Sequence, residues 1–133
     1  MEIRDYFHYD EEQVLALYGS VGWVAYTRQP EVLKAGFEHS LLILGAYEGD
    51  ALIGLLRAVG DGNTVILLQD ILVHPDHRRQ GNGSALIRTA LDRFKSVRQV
   101  LLITDDTPET TAFYASLGFK AVDALGCKAF MRA

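Results

Sequence analysis

Residues 74–86 read HPDHRRQGNGSAL, in a chain of net charge −4. Arg78 and Arg79 stand just before Gly81 and Gly83, where an apolar run gives way to helical periodicity. The first amides of a helix lack intrahelical acceptors and sit at the positive end of its dipole. Glycines keep side chains away from such amides, and a guanidinium grips phosphate oxygens in two places. The pattern therefore suits an anion cradled on the backbone of Arg79, Gln80, Gly81, Asn82, Gly83 and Ser84, with Arg78 adding charge. A tight strand-to-helix turn with solvated arginines would read the same way. Two known phosphate loops do not fit. The stretch GNGS lacks the Gly-Lys-Ser/Thr of the nucleoside-triphosphate loop. Leu86 stands where the dinucleotide fingerprint needs a third small residue.

Few other side chains suggest chemistry. Gln69 and Asp70 interrupt the apolar run TVILLQDILV. Asp70 suits a base if desolvation raises its pKa, and equally suits a structural hydrogen-bond acceptor. Gln69 cannot take a proton but can orient water. Strand alternation sets the two on opposite faces, which a bulge would exchange. Trp23 and Tyr26 lie in the glycine-broken stretch YGSVGWVAYTRQP and read either as a pocket wall or as core aromatics. Cys127 is the single cysteine and is read as buried and inert. His8, His39, His74 and His77 show no metal-ligand spacing, so no metal is expected.

These residues need positioning by a mixed set of elements. EIRDYF (2–7) reads as a first strand. Asp10 with Gln13 forms a capping box, ahead of Val14, Leu17 and Tyr18 on one helical face. Gly19 and Gly22 end that helix, and Pro30 starts a second that buries Leu33 and Phe37. Strands at 41–47, 51–60 and 64–73 are joined by short glycine-containing turns, as in an antiparallel meander. The third is apolar nearly throughout and should be central. A helix from about Ser84 to Lys95 and a buried strand VLLIT (100–104) complete a right-handed parallel crossover. Thr107 and Pro108 open another helix, which Gly118 ends, and FKAV and KAFMRA read as short final strands. The parallel pair should therefore lie near the middle of the sheet.

The 133 residues suit one domain, 1–133, with an ordinary globular composition of 49% hydrophobic and 23% charged residues. The acidic balance excludes a general nucleic-acid binder. No apolar run approaches membrane-spanning length and the N-terminus lacks a signal-peptide pattern, so a cytoplasmic location is expected.

Arg78, Gly81 and Gly83 meet the pattern R-x-x-G-x-G after a strand ending ILVHPDHR, and AFYASLGF (112–119) follows downstream. Together these resemble the signatures of the GNAT superfamily of N-acetyltransferases, in the expected order and over most of the chain. The resemblance implies an α/β GNAT fold: a mixed central sheet whose middle strands splay, flanked by helices. It implies acetyl-CoA as donor, with its pyrophosphate on the amides of 79–84 and its pantetheine arm along Ile71, Leu72 and Val73. Phe113 and Thr107 would line the cofactor. Thr107 stands where the family often has asparagine, and its hydroxyl also suits a helix cap. Acetyl transfer then needs a neutral amine, held close to the carbonyl, a donor for the developing oxyanion and a proton for the departing thiolate. Tyr114 matches the family tyrosine and is the expected acid, with Asp70, Gln69 or a water chain deprotonating the amine. Trp23 and Tyr26 would face a small primary amine as acceptor. A homodimer is compatible with the resemblance. A non-catalytic acyl-CoA sensor on the same fold is the rival reading.

Overall fold

The computed structural model describes residues 1–133, whose contacts group into two compact units, Met1–Leu102 and Ile103–Ala133. In the first unit the elements run β1 (Glu2–Asp5), α1 (Glu11–Ser20), α2 (Val24–Thr27), α3 (Pro30–Glu38), β2 (Leu42–Glu48), β3 (Ala51–Gly60), β4 (Val65–Val73), α4 (Asn82–Arg93) and β5 (Gln99–Leu102). The second unit holds α5 (Pro108–Ser116) and a 3-10 turn at Val122–Leu125. No helix is long and apolar enough to cross a membrane.

The five strands lie in sequence order, antiparallel from β1 to β4, with β5 parallel to β4. The meander forms, and β4, α4 and β5 make the expected parallel crossover, but β5 ends at Leu102 and is not buried: as the last strand of the sheet it has no neighbour on its outer side, and Leu101 and Ile103 are exposed. Two further expectations are corrected. The central strand is β3, buried from Leu52 to Ala58, because β2 and β4 pair on either side of it. The parallel pair lies at an end of the sheet rather than near its middle. The reason is that FKAV and KAFMRA form no strands. A strand exists only where a neighbour takes its backbone hydrogen bonds, and residues 128–133 have none, leaving Phe130 and Met131 exposed. Cys127 is likewise exposed rather than buried, on the surface turn that follows left-handed Gly126.

On one face of the sheet, Val14, Leu17 and Tyr18 of α1 and Leu33 and Phe37 of α3 pack on Leu52, Leu55 and Leu72. Each such side chain fully buried contributes about 1.5–3 kcal/mol before entropy is counted. Phe37 meets Tyr9 edge-on at 5.1 Å, a favoured aromatic geometry. The Asp10 cap forms, accepting from the Gln13 backbone N–H, but the reciprocal half of the box does not. Gln13 instead donates to the carbonyl of Asp50, and the Tyr6 hydroxyl accepts from the Asp10 N–H.

Helix α4 packs across β2, β3 and β4 and buries Leu86, Ile87 and Ala90. Gly54 permits this close approach. A Cβ there would lie 3.2 Å from the Leu72 carbonyl oxygen and 3.3 Å from a Leu86 methyl. The start of α4, and with it the loop at 74–81, is thereby held against the sheet.

Candidate active site

Strand β4 changes character at Gln69. Below it, Val65–Leu68 pair with Gln99–Leu102 of β5, but Gln69–Val73 have no strand on that side. A β-strand aims alternate N–H and C=O groups to each side, so this stretch offers an unpaired edge opposite β3. Gln69 is also an extra residue in the β3–β4 ladder. Arg57 faces Asp70 and Ala58 faces Leu68, leaving Gln69 without a partner. Neighbours on β3 point to opposite faces, so the bulge turns Asp70 to the side opposite Leu68. Ile71 and Val73 are half-buried. The Leu72 side chain belongs to the α1–α3 core, so only its backbone is free for a ligand.

Beyond β4, Pro75–His77 form a 3-10 turn in which His74 Nδ1 accepts from the Asp76 N–H. Arg79 then adopts φ 61°, a left-handed conformation that costs a non-glycine residue roughly 1–2 kcal/mol. Gly81, at φ 80°, is the N-cap of α4 and contributes no capping side chain. None of the N–H groups of residues 79–84 finds an acceptor within the chain. Arg78, Arg79 and Gln80 are exposed, and neither arginine forms an ion pair. Gly83 and Ser84 are half-buried. Asn82 differs from a freely variable loop position: it is 3% exposed and donates from Nδ2 to the His77 carbonyl at 3.0 Å. That bond ties the end of the 3-10 turn to the first residue of α4. The loop thus gathers six unpaired amides around open space above Gly81. Such a set fits a pyrophosphate, and the unpaired β4 edge fits the amide-bearing arm of coenzyme A.

Asp70 lies under this strand in a sealed polar cluster. It is 2% exposed. Its Oδ2 accepts from Arg57 Nε at 2.7 Å and from the Tyr18 hydroxyl at 2.8 Å, and its Oδ1 accepts from the Tyr26 hydroxyl at 2.8 Å. Burial pulls the Arg57 pKa down, but the charge and hydrogen bond of Asp70 more than offset this and leave it above the ordinary value. Burial first, then the Asp70 charge, pushes the Tyr18 phenol far up. Burial likewise raises Tyr26, although its bond from Gln69 pulls the other way. Three donors engage the Asp70 carboxylate and solvent does not reach it. The geometry gives Asp70 the work of an acceptor, not of an exposed base. Tyr26 therefore has a polar task as well as an aromatic one. Its ring meets Tyr18 edge-on at 5.3 Å, and Trp23 packs against the same core.

Sequence reasoning missed Arg57 and the polar role of Tyr18. The signal was present in ALIGLLRAVG, where a lone charge in an apolar strand demands a buried partner.

In the second unit, Thr107 caps α5 by accepting from the Thr110 N–H. Phe113 and Tyr114 are half-buried and meet edge-on at 5.0 Å, with Phe119 6.0 Å from Tyr114. Burial raises the Tyr114 phenol above its usual value, with Thr104 opposing. The phenol therefore keeps its proton through neutral pH.

Residues 38–121, more than half of the chain, match the family model described as an acetyltransferase (GNAT) domain. The chain belongs to the GNAT acetyltransferase family. A GNAT family acetyltransferase of Streptococcus pneumoniae TIGR4 has a closely similar structure, at TM-score 0.90 and 39% identity, covering 99% of this GNAT chain and 96% of that one. An uncharacterised N-acetyltransferase of Porphyra purpurea is 27% identical over 84% of the chain, which spans 63% of that relative's length. A mycothiol acetyltransferase of a Parafrankia strain is 33% identical over 72% of the chain, which spans 28% of its length. The GNAT chain thus spans less than two-thirds of these curated relatives. The expected α/β GNAT fold, with its mixed sheet and flanking helices, is the fold observed.

Proposed function

We propose that this GNAT domain transfers an acetyl group from acetyl-CoA to a small primary amine, both bound at once. One observation carries the reading: the unpaired edge of β4 leads directly into six unpaired amides at residues 79–84. The amides, with Arg78 and Arg79, would hold the pyrophosphate, and the backbone of Ile71–Val73 would pair with the pantetheine arm. Acetyl-CoA supplies the acetyl group as an activated thioester. Trp23 and Tyr26 form the wall offered to the acceptor. The acid role falls to Tyr114 by its match to the family's F-Y-x-x-x-G-F stretch alone, and its phenol holds its proton at neutral pH. With Asp70 fully engaged, amine deprotonation passes to water. The mycothiol acetyltransferase among the relatives supports a small-molecule acceptor by its name.

Titration calorimetry with CoA and a thiol-release assay over an amine panel test this. Micromolar binding and release with at least one amine are expected. Wild-type turnover in Tyr114→Phe would remove the acid assignment. A second reading, a CoA-binding sensor without transfer, is favoured by one feature: the only carboxylate on β3 or β4 is committed to the Arg57 cluster. Tight CoA binding with no release for any amine would establish it.

A further inference from the structure

We infer that Gln69 presents its side-chain carbonyl to the acceptor amine, and that Asp70 is a positioning residue that fixes this orientation through Tyr26. The inference rests on the acetyl-transfer reading above and adds the polarity of its acceptor side.

The argument follows the direction of each hydrogen bond. Arg57 is a permanent donor, 2.7 Å from Asp70. The carboxylate that pairs with it offers only lone pairs, so the Tyr26 hydroxyl hydrogen must point at Asp70 Oδ1. The Tyr26 oxygen is then left with lone pairs alone. Gln69 approaches it at 3.3 Å. Heavy-atom positions do not distinguish the two ends of an amide, but donor roles do. Two acceptors cannot bond, so the Gln69 NH2 faces Tyr26 and its Oε1 turns away.

The order is therefore one-way, from Gln69 to Tyr26 to Asp70, with Arg57 anchoring the end. Arg57 is itself fixed. Its Nη1 donates to Ser40 Oγ at 3.2 Å, and the guanidinium lies 5.9 Å over Phe37. Gly36 leaves room for it, since a Cβ there would stand 3.2 Å from Nη1. At the other end, Gln69 is exposed, sits at the bulge and begins the unpaired β4 edge. A carbonyl held there accepts an N–H from an amine and aligns it without removing a proton.

Reversing one donor role tests the chain of logic. In Asp70→Asn the amide oxygen is retained by Arg57 and Tyr18, so the Asn NH2 faces Tyr26. The phenol hydrogen then points at Gln69, whose amide turns over and shows NH2 to the acceptor. Tyr26→Phe keeps the ring and releases Gln69. In wild type, 1H–15N spectra should show one Gln69 side-chain N–H protected from exchange, and Tyr26→Phe should abolish the protection. With acetyl-CoA and the panel amine turned over fastest, Tyr26→Phe and Gln69→Ala should each lower kcat/KM for amine about tenfold while CoA affinity stays within twofold. The double variant should fall no further, since both act through one contact. Should Asp70→Asn not fold, these half-buried and exposed positions carry the test. An unprotected Gln69 amide, wild-type kinetics in Tyr26→Phe, or a multiplicative loss in the double variant would overturn the inference. If the wild type binds no CoA, the acetyl-transfer reading fails and the exchange measurement alone decides the Gln69 orientation.

Discussion

Replacing Asp70 by alanine should cost more stability than any ordinary surface change. Arg57 would keep its charge with a side chain only 8% exposed and no carboxylate in reach. Removing one partner of a buried ion pair typically costs about 3–5 kcal/mol. The Tyr18 hydroxyl, fully buried, would lose its only acceptor, adding roughly 1–3 kcal/mol. Tyr26 is half-buried and keeps its contact with Gln69, so it adds little. The sum, roughly 4–8 kcal/mol, is comparable with the whole stability of a domain, about 5–15 kcal/mol. Asp70→Ala should therefore be close to unfolding at 25 °C. Trp23, the single tryptophan, packs edge-on to Tyr18 at 5.9 Å and reports the transition by fluorescence in urea. The double variant Arg57→Met/Asp70→Leu removes both charges and orphans only the Tyr18 phenol, so it should be more stable than Asp70→Ala. A loss below about 1 kcal/mol in Asp70→Ala, with unchanged denaturant slope, would refute the reasoning. It would mean that Arg57 reaches water without cost.

Gly81→Val should cost about 1–2 kcal/mol, because a β-branched residue resists φ 80°, and should abolish measurable CoA binding in calorimetry. Asn82→Ala frees the turn at His77 from α4 and should weaken CoA several-fold while the secondary structure seen by circular dichroism is unchanged. Burial holds the phenols of Tyr6, Tyr9, Tyr18, Tyr26, Tyr47 and Tyr114 above the usual value of 10.0. A raised folded pKa contributes stability that is complete below the unfolded value and is lost as pH climbs through the folded one. Stability should therefore fall above pH 10, and tyrosinate absorbance should appear together with unfolding. Separate, early ionisation of most phenols in the folded state would contradict this.

Local signals in the chain were enough to place most elements. Pro30 at a first helical position, Asp10 and Thr107 as caps, and the glycine turns between β2, β3 and β4 each state a backbone requirement within a few residues. The loop glycines and arginines were legible for the same reason. What the letters did not contain were facts about pairing. KAFMRA has strand-like composition, but a strand depends on a neighbour that composition does not name. Centrality was misjudged because TVILLQDILV and ALIGLLRAVG are both apolar, and only the ladder shows that β3 is paired along its length on both sides while β5 covers no more than Val65–Leu68 of β4. Asp70 was visible as a charge in an apolar run. Its partner, Arg57, stands on the next strand, and the two meet only because the bulge brings them into register. Cys127 was assigned to the interior on residue type alone, while its exposure follows from the missing strand around it.

The inserted residue at position 69 works as a phase shifter. Its presence, more than its identity, determines which side of the sheet receives every later side chain of β4. Deleting it would carry Asp70 to the layer beneath α4, among leucines and isoleucines, and would strand Arg57 without a counter-charge. Point substitutions can vary the chemistry of the acceptor side while this frame holds. A change of one residue in length would instead cost the domain its foldedness, so tolerance to indels here should be far lower than tolerance to replacement.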